Sequence, residues 1–244
     1  MRNGEFNDPR LVAVYDAEFS WSREDEFFLS IANESQESRV LDFGCGTGRL
    51  AIGLAGAGHL VTGVDPARAS LDAARAKPNA DLVTWVEGGS NDLPSASFDI
   101  AFMTSHVAQF FVDSNEWAQL LPNLRRSLVP GGRLVFDTRD PAAREWVSWN
   151  PIDSTEEVSL PDGQQVRVWT EVTSESGAII DFTMHFVFPD GNELLSSSTL
   201  RWRTEQEIRM DLRAAGFVVK DIYGGWDRQA IGAGDGEFIV VACV

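Results

Sequence analysis

From Arg39 onward, short apolar runs alternate with amphipathic stretches. The runs are Val40-Leu41-Asp42-Phe43, Leu60-Val61-Thr62-Gly63-Val64, Leu82-Val83-Thr84-Trp85-Val86, Phe98 to Met103 and Arg133 to Phe136. Between them, helical stretches are expected over 49–57, 67–77 and 115–128. Near-continuous apolar strands, each followed by a helix, predict a parallel sheet covered by helices on both faces. Pro122 sits inside the third helix and is expected to kink or split it, because proline has no N–H to donate.

The ends of the chain follow other patterns. Residues 1–38 are polar and helical, with Ser22 as an N-cap, Asp25 three residues on, and Phe27, Phe28 and Ile31 on one face. After Trp149 the period drops to two. Val166, Val168, Thr170 and Val172 alternate with Arg167, Trp169, Glu171 and Thr173. A second face follows at Ile180, Phe182, Met184, Phe186 and Phe188, and a third at Leu194, Ser196, Ser198, Leu200 and Trp202. Pro189-Asp190-Gly191-Asn192 is a hairpin turn between the last two. An antiparallel meander is thus inserted over residues 155–202. The first pattern then resumes. Thr204 to Glu207 is a capping box, Ile208, Leu212 and Ala215 form an apolar stripe, and Gly216 suits the C′ position. Strands are expected around 217–223 and 237–243. Three units follow: an N-terminal helical lid (1–38), an α/β domain (39–150 and 203–244), and an inserted antiparallel element (151–202).

Charge narrows the partners. Among 244 residues, 20 Lys and Arg stand against 37 Asp and Glu, a formal charge of −17. Phosphate contacts need clustered cations, so neither nucleic acid nor an anionic membrane is an expected partner. The opening Met1 to Asp8 lacks an apolar signal core, and no run is long enough to span a bilayer, which makes the cytoplasm the expected location. Cys45, Cys243, His59, His106 and His185 are scattered and match no zinc spacing, so no metal is expected.

The segment Val40 to Leu50 carries the densest signal. A strand ends at Gly44, a turn of alternating glycines follows, and a helix begins near Gly48. Glycines let the backbone turn sharply and approach a ligand, and the helix N-terminus offers unpaired N–H groups. Asp65 closes the second strand about 20 residues on, where a carboxylate can accept both hydroxyls of a ribose. Its competing role is to cap the helix that begins after Pro66.

Asp42-Phe43-Gly44-Cys45-Gly46-Thr47-Gly48 with Gly63-Val64-Asp65 resembles the class I S-adenosylmethionine-dependent methyltransferases. Val86 to Pro94 resembles their loop beside the adenine, Ser97 to Met103 their fourth strand, and Leu124 to Leu134 their helix, Pro-Gly-Gly turn and fifth strand. Ala214-Ala215-Gly216-Phe217 resembles their closing segment. The resemblance implies a Rossmann-like seven-stranded, mostly parallel sheet, here carrying the inserted meander. It implies S-adenosylmethionine as cofactor, S-adenosylhomocysteine as product, and methyl transfer to oxygen or nitrogen; the acidity and the inserted lid make a small organic molecule the expected acceptor, with a protein as the less favoured one. Asp42, Gly44, Cys45 and Gly46 then line the methionine end, the two glycines by close backbone approach. Asp65 holds the ribose, Pro66 touches the adenine, and Ser90 and Asn91 lie at the adenine edge. Tyr15 closes over the cofactor as a lid contact, and Thr104 joins these contacts from the end of the fourth strand. Many relatives carry Gly-Asp where this chain has Gly88-Gly89. The role of that missing carboxylate falls to a backbone group, Asn91 or Asp92.

The acceptor side has two polar candidates. His106 follows the fourth strand and is a candidate general base or substrate orienter, against a helix-start histidine bonded to backbone. Arg139 follows the fifth strand and is a candidate clamp for a substrate anion, against an ion pair with a neighbouring Asp. Phe19 and Trp21 accompany Tyr15 in the lid, and the loop from Tyr223 to Arg228 is expected to face the same crevice. The insert is expected to wall the substrate site, with homodimerisation through its edge as the competing use. Two alternatives share the glycine turn and Asp65: a non-catalytic S-adenosylmethionine-binding protein and an NAD-dependent oxidoreductase.

Overall fold

The computed structural model describes residues 1–244. Its large sheet contains β1 (Arg39–Phe43), β2 (Leu60–Asp65), β3 (Val83–Glu87), β4 (Phe98–Met103), β5 (Leu128–Arg139), β10 (Val218–Tyr223) and β11 (Glu237–Cys243). The strand order is β10-β11-β5-β4-β1-β2-β3. Strands β1 to β5 pair in parallel, and β11 runs antiparallel to both of its neighbours. The expected seven-stranded architecture is therefore present. The strand order reverses between β1 and β4, the position where open α/β sheets leave a crevice beyond their carboxyl ends.

Helices α4 (Arg49–Gly56), α5 (Arg68–Arg75), α6 (Ser114–Ser127) and α7 (Glu205–Ala214) cover the sheet. One face is sealed by Trp117, Leu120, Leu124, Ile208 and Leu212, the other by Phe27, Phe28, Leu50 and Leu54. Helix α6 runs unbroken through Pro122, so of the expected kink or split the split does not occur. Proline removes one backbone hydrogen bond, while the flanking Trp117, Leu120, Leu121 and Leu124 are almost fully buried and hold both halves on the sheet.

The second sheet has the order β6-β7-β8-β9, with β6 at Glu156–Ser159, β7 at Gln165–Ser176, β8 at Ile179–Val187 and β9 at Glu193–Arg201. The meander thus gains a fourth strand. In β6 only Val158 is buried, so no alternation betrays it in the sequence.

The N-terminal helices α1 (Gly4–Asn7), α2 (Pro9–Glu18) and α3 (Arg23–Ala32) split between the two sheets. Leu11 and Val14 of α2 join Val158, Val166, Val168 and Phe186 of the small sheet in one apolar cluster. The buried Glu5 carboxylate accepts the hydroxyls of Ser196 and Ser198 on β9. Helix α3 packs on the large sheet instead, and Ser22 and Asp25 form its expected capping box. No helix is long and apolar enough to cross a membrane.

Candidate active site

A cavity of about 440 Å³ opens at the carboxyl edge of the parallel strands. Its floor is the glycine turn after β1 together with Asp65 and Pro66 after β2. Gly88, Gly89 and Ser90 close one end, and Thr104, Ser105 and Val107 close another. Asn3, Phe6, Asn7, Tyr15 and Phe19 form a roof, met from the side by Phe110 and Phe111. Phe6 packs edge-on against both Tyr15 and Phe110, with ring centroids 5.5 Å apart in each pair.

The glycine turn has two distinct reasons for its composition. Gly44 has φ +80°, and a Cβ there would lie 2.5 Å from Cγ2 of Val107. Packing against the loop after β4 therefore requires a glycine here, and the residue also lines the cavity. Gly46 has φ +51°, and a Cβ there would meet nothing within 4 Å. Its open side is the one that a ligand can use.

Asp65 takes up its candidate capping role and a second backbone contact that the sequence did not indicate. Oδ1 accepts the N–H of Ala67 at 2.7 Å, and Oδ2 accepts the N–H of Gly46 at 2.9 Å. Each oxygen retains a lone pair for a further donor. Asp42 is almost wholly buried in the cavity wall, and its Oδ1 has no partner. Burial pushes its carboxyl up to about 7, the Asp65 charge adds to the rise, and Arg49 opposes it.

The roof is fastened to this floor. Asp16 accepts the Thr47 hydroxyl at 2.6 Å and pairs through the same oxygen with Lys77. Asp25 pairs with Arg49 at 3.0 Å, and Ser70 donates its hydroxyl to the Phe6 carbonyl at 2.9 Å. Burial also pushes the Tyr15 hydroxyl up to about 12, so it stays protonated. Burial likewise raises the Cys45 thiol and keeps it neutral.

Of the residues singled out in the sequence, Tyr15, Asp42, Gly44, Cys45, Gly46, Asp65, Pro66, Ser90 and Thr104 all line this one cavity. Asn91 does not. Its side chain is exposed and accepts from Asn123 at 2.9 Å. Asp92 is also outside, holding the Gly89 N–H at 3.0 Å. The end wall is therefore made of the Gly88-Gly89 backbone and Ser90.

His106 is turned away from the cavity. Its Nε2 lies 3.0 Å from Glu237 and 3.4 Å from Asp137, and its backbone N–H donates to Asp137 at 2.8 Å. Burial lowers the imidazole to about 4 and raises Asp137 to about 6 and Glu237 to about 8. The general-base expectation for His106 is corrected accordingly. Arg139 is also outside, donating to Glu145 at 2.7 Å and Gln109 at 3.0 Å beneath the ring of Trp149. Its occupied guanidinium corrects the substrate-clamp expectation, and the acid that holds it is a glutamate. Trp21 donates to Glu26 and lies over Gly53, while Tyr223 and Trp226 pack on Phe27. These three stand outside the cavity as well.

Sequence reasoning missed Asn3, Phe6, Arg49, Val107, Phe110 and Phe111 as cavity residues. Arg49 alone carried a signal, since it opens the helix after the glycine turn.

A family profile described as "Methyltransferase domain" matches residues 40–132. A cypemycin N-terminal methyltransferase from Streptomyces is 30% identical over 203 residues, covering 83% of this chain and 81% of its own length. A putative methyltransferase from Geobacillus is 34% identical over 128 residues, 51% of each protein. Among solved structures, the CcbJ methyltransferase from Streptomyces caelestis superimposes with a TM-score of 0.77 at 21% identity, covering 99% of this chain and 97% of that one. The S-adenosylmethionine-bound CalS10, an amino pentose methyltransferase from Micromonospora echinaspora, gives a TM-score of 0.68 at 21% identity, covering 95% and 94%. Fold, glycine turn and ribose-type carboxylate define a class I methyltransferase. The chain belongs to the S-adenosylmethionine-dependent methyltransferase family and is an enzyme of that class.

The cavity fits this cofactor. Asp42 offers a buried carboxylate oxygen without a partner, suited to an ammonium group. Asp65 offers two oxygens to a diol, and Gly46 leaves its side of the floor open.

Proposed function

We propose that this enzyme methylates a neutral amine of a small molecule or of a peptide terminus. The carrying observation is the chemistry of the cavity wall. His106 is turned away from the cavity toward Glu237, Tyr15 and Cys45 are held protonated, and Asp42 and Asp65 lie in the cofactor floor. The wall thus presents no free base to the acceptor. A phenol or alcohol needs one; a neutral amine brings its own lone pair.

The cofactor supplies an electrophilic methyl group on sulfur. The chain supplies position and dryness. Asp42 receives the ammonium and Asp65 the ribose, while Gly88, Gly89 and Ser90 meet the adenine. Phe6, Tyr15 and Phe110 exclude water and hold the acceptor in line. Such alignment contributes about 7–11 kcal/mol at best. The names of the Streptomyces and Micromonospora relatives, an N-terminal and an amino pentose methyltransferase, support an amine acceptor.

In this reading the insert and helices α1 and α2 form a lid and acceptor wall. The charge of −17 disfavours nucleic acid, and two free cysteines suit the cytoplasm. The test is formation of S-adenosylhomocysteine with a panel of primary amines and their hydroxyl analogues. Turnover restricted to amines supports the proposal; turnover on hydroxyl analogues alone overturns it.

A further inference from the structure

Outside the cavity, three strands deliver a mixed donor cluster to one point. His106 follows β4, Asp137 lies in β5 and Glu237 opens β11. One ligand atom from each residue lies within 4.8 Å of the others. We propose that His106, Asp137 and Glu237 form a site for one divalent transition-metal ion, of which zinc is the best-fitting representative.

The donor separations suit such an ion. Imidazole Nε2 stands 3.0 Å from Glu237 Oε1, a hydrogen bond that the ion would replace, and 3.4 Å from Asp137 Oδ2. Ligands about 2.0–2.2 Å from a tetrahedral zinc lie roughly 3.3–3.6 Å apart, so small side-chain adjustments suffice. An imidazole with two carboxylates favours zinc, iron or manganese over calcium or magnesium.

A second observation points the same way. Asp137 is wholly buried and Glu237 is 8% exposed, yet Asp137 Oδ1 and Glu237 Oε2 have no hydrogen-bond partner. Orphaned buried carboxylate oxygens call for a donor or a cation. Two carboxylates and a divalent ion sum to zero charge, which suits a buried site. The backbone N–H of His106 already orients Asp137, as an outer-shell donor should. Arg139, whose charge acts on both His106 and Glu237, is taken up by Glu145 and Gln109. The ligands come from strands adjacent in the sheet but far apart in sequence, so no local spacing reveals the set.

Such an ion would tie the loop bearing Thr104, Ser105 and Val107 to the sheet edge, stiffening one wall of the cavity. The test is a calorimetric titration of chelator-treated full-length protein with Zn²⁺, repeated with Co²⁺ to read its visible absorption. The expected result is one ion per chain, a Tm that rises with zinc concentration, and affinity at least tenfold weaker in both His106→Ala and Glu237→Gln. Circular dichroism confirms that each variant folds, and Glu237→Gln, nearly isosteric, serves if His106→Ala does not. Absence of a one-to-one event, or binding unchanged in the folded variants, overturns the site.

Discussion

The carboxylate of Asp16 accepts the hydroxyl of Thr47 at 2.6 Å, joining the helix that carries Tyr15 to the glycine turn. Lys77 approaches the same oxygen, so one side chain locks roof, turn and α5 region together. Hydrogen bonds to charged groups contribute about 1.5–3 kcal/mol, less when partly exposed as here. Asp16→Ala should weaken cofactor binding about five- to tenfold while Tm changes little. Calorimetry beside thermal melting checks this. Unchanged affinity would show that the roof does not depend on this tie.

Asp65 combines ligand binding with local structure. Asp65→Ala removes an acceptor from Gly46 and Ala67, and in the proposed reading from the ribose as well. It should weaken cofactor binding by about 100-fold and lower stability by roughly 1–3 kcal/mol. Asp65→Asn keeps one oxygen and should recover most of the stability but little of the affinity. Urea unfolding and cofactor titration of both variants separate the two effects.

The two glycines should respond differently to alanine. Gly44→Ala drives a Cβ into Val107 and should lose about 1–3 kcal/mol of stability. Gly46→Ala meets nothing and should lose only about 1 kcal/mol to its backbone angle, yet it projects into the cavity and should weaken cofactor binding strongly. The comparison is read from paired melting and binding curves.

If Asp42 receives the cofactor ammonium as proposed, cofactor affinity depends on pH. Its folded pKa, about 7, lies above the ordinary 3.8, so its protonated form is favoured in the cofactor-free protein. Its contribution to stability is present below about pH 4 and is lost as pH rises through 7. An ammonium ligand favours the carboxylate, so binding must release a proton below pH 7. Affinity should rise with pH by up to about tenfold per unit below 7 and level off above it. Asp42→Asn should flatten the profile. Titrations in buffers of different ionisation enthalpy would count the released proton directly.

Much of the site was legible because it lies on regular elements. The strands are apolar on both faces, and the glycine turn and Asp65 sit at strand ends whose side chains must face the crevice. His106 and Arg139 were legible only in position. Their directions are set by Glu237, 131 residues on, and by Gln109, 30 residues back, which no local pattern encodes. The same holds for Phe6 and Phe110, which meet through the fold. Strand β6 escaped notice because a single buried Val158 leaves no period, and Pro122 misled because burial on the sheet outweighs one lost hydrogen bond.

The most direct measurement is the pH dependence of kcat/KM for three amine acceptors of graded basicity at saturating S-adenosylmethionine, where the titration of Asp42 no longer enters the profile. With no base on the protein, the inflection should move with the acceptor's own pKa, and His106→Ala should leave it in place. An inflection fixed at one pH for all three acceptors would mean that an enzyme group accepts the proton, and methylation of a neutral amine by alignment alone would be wrong.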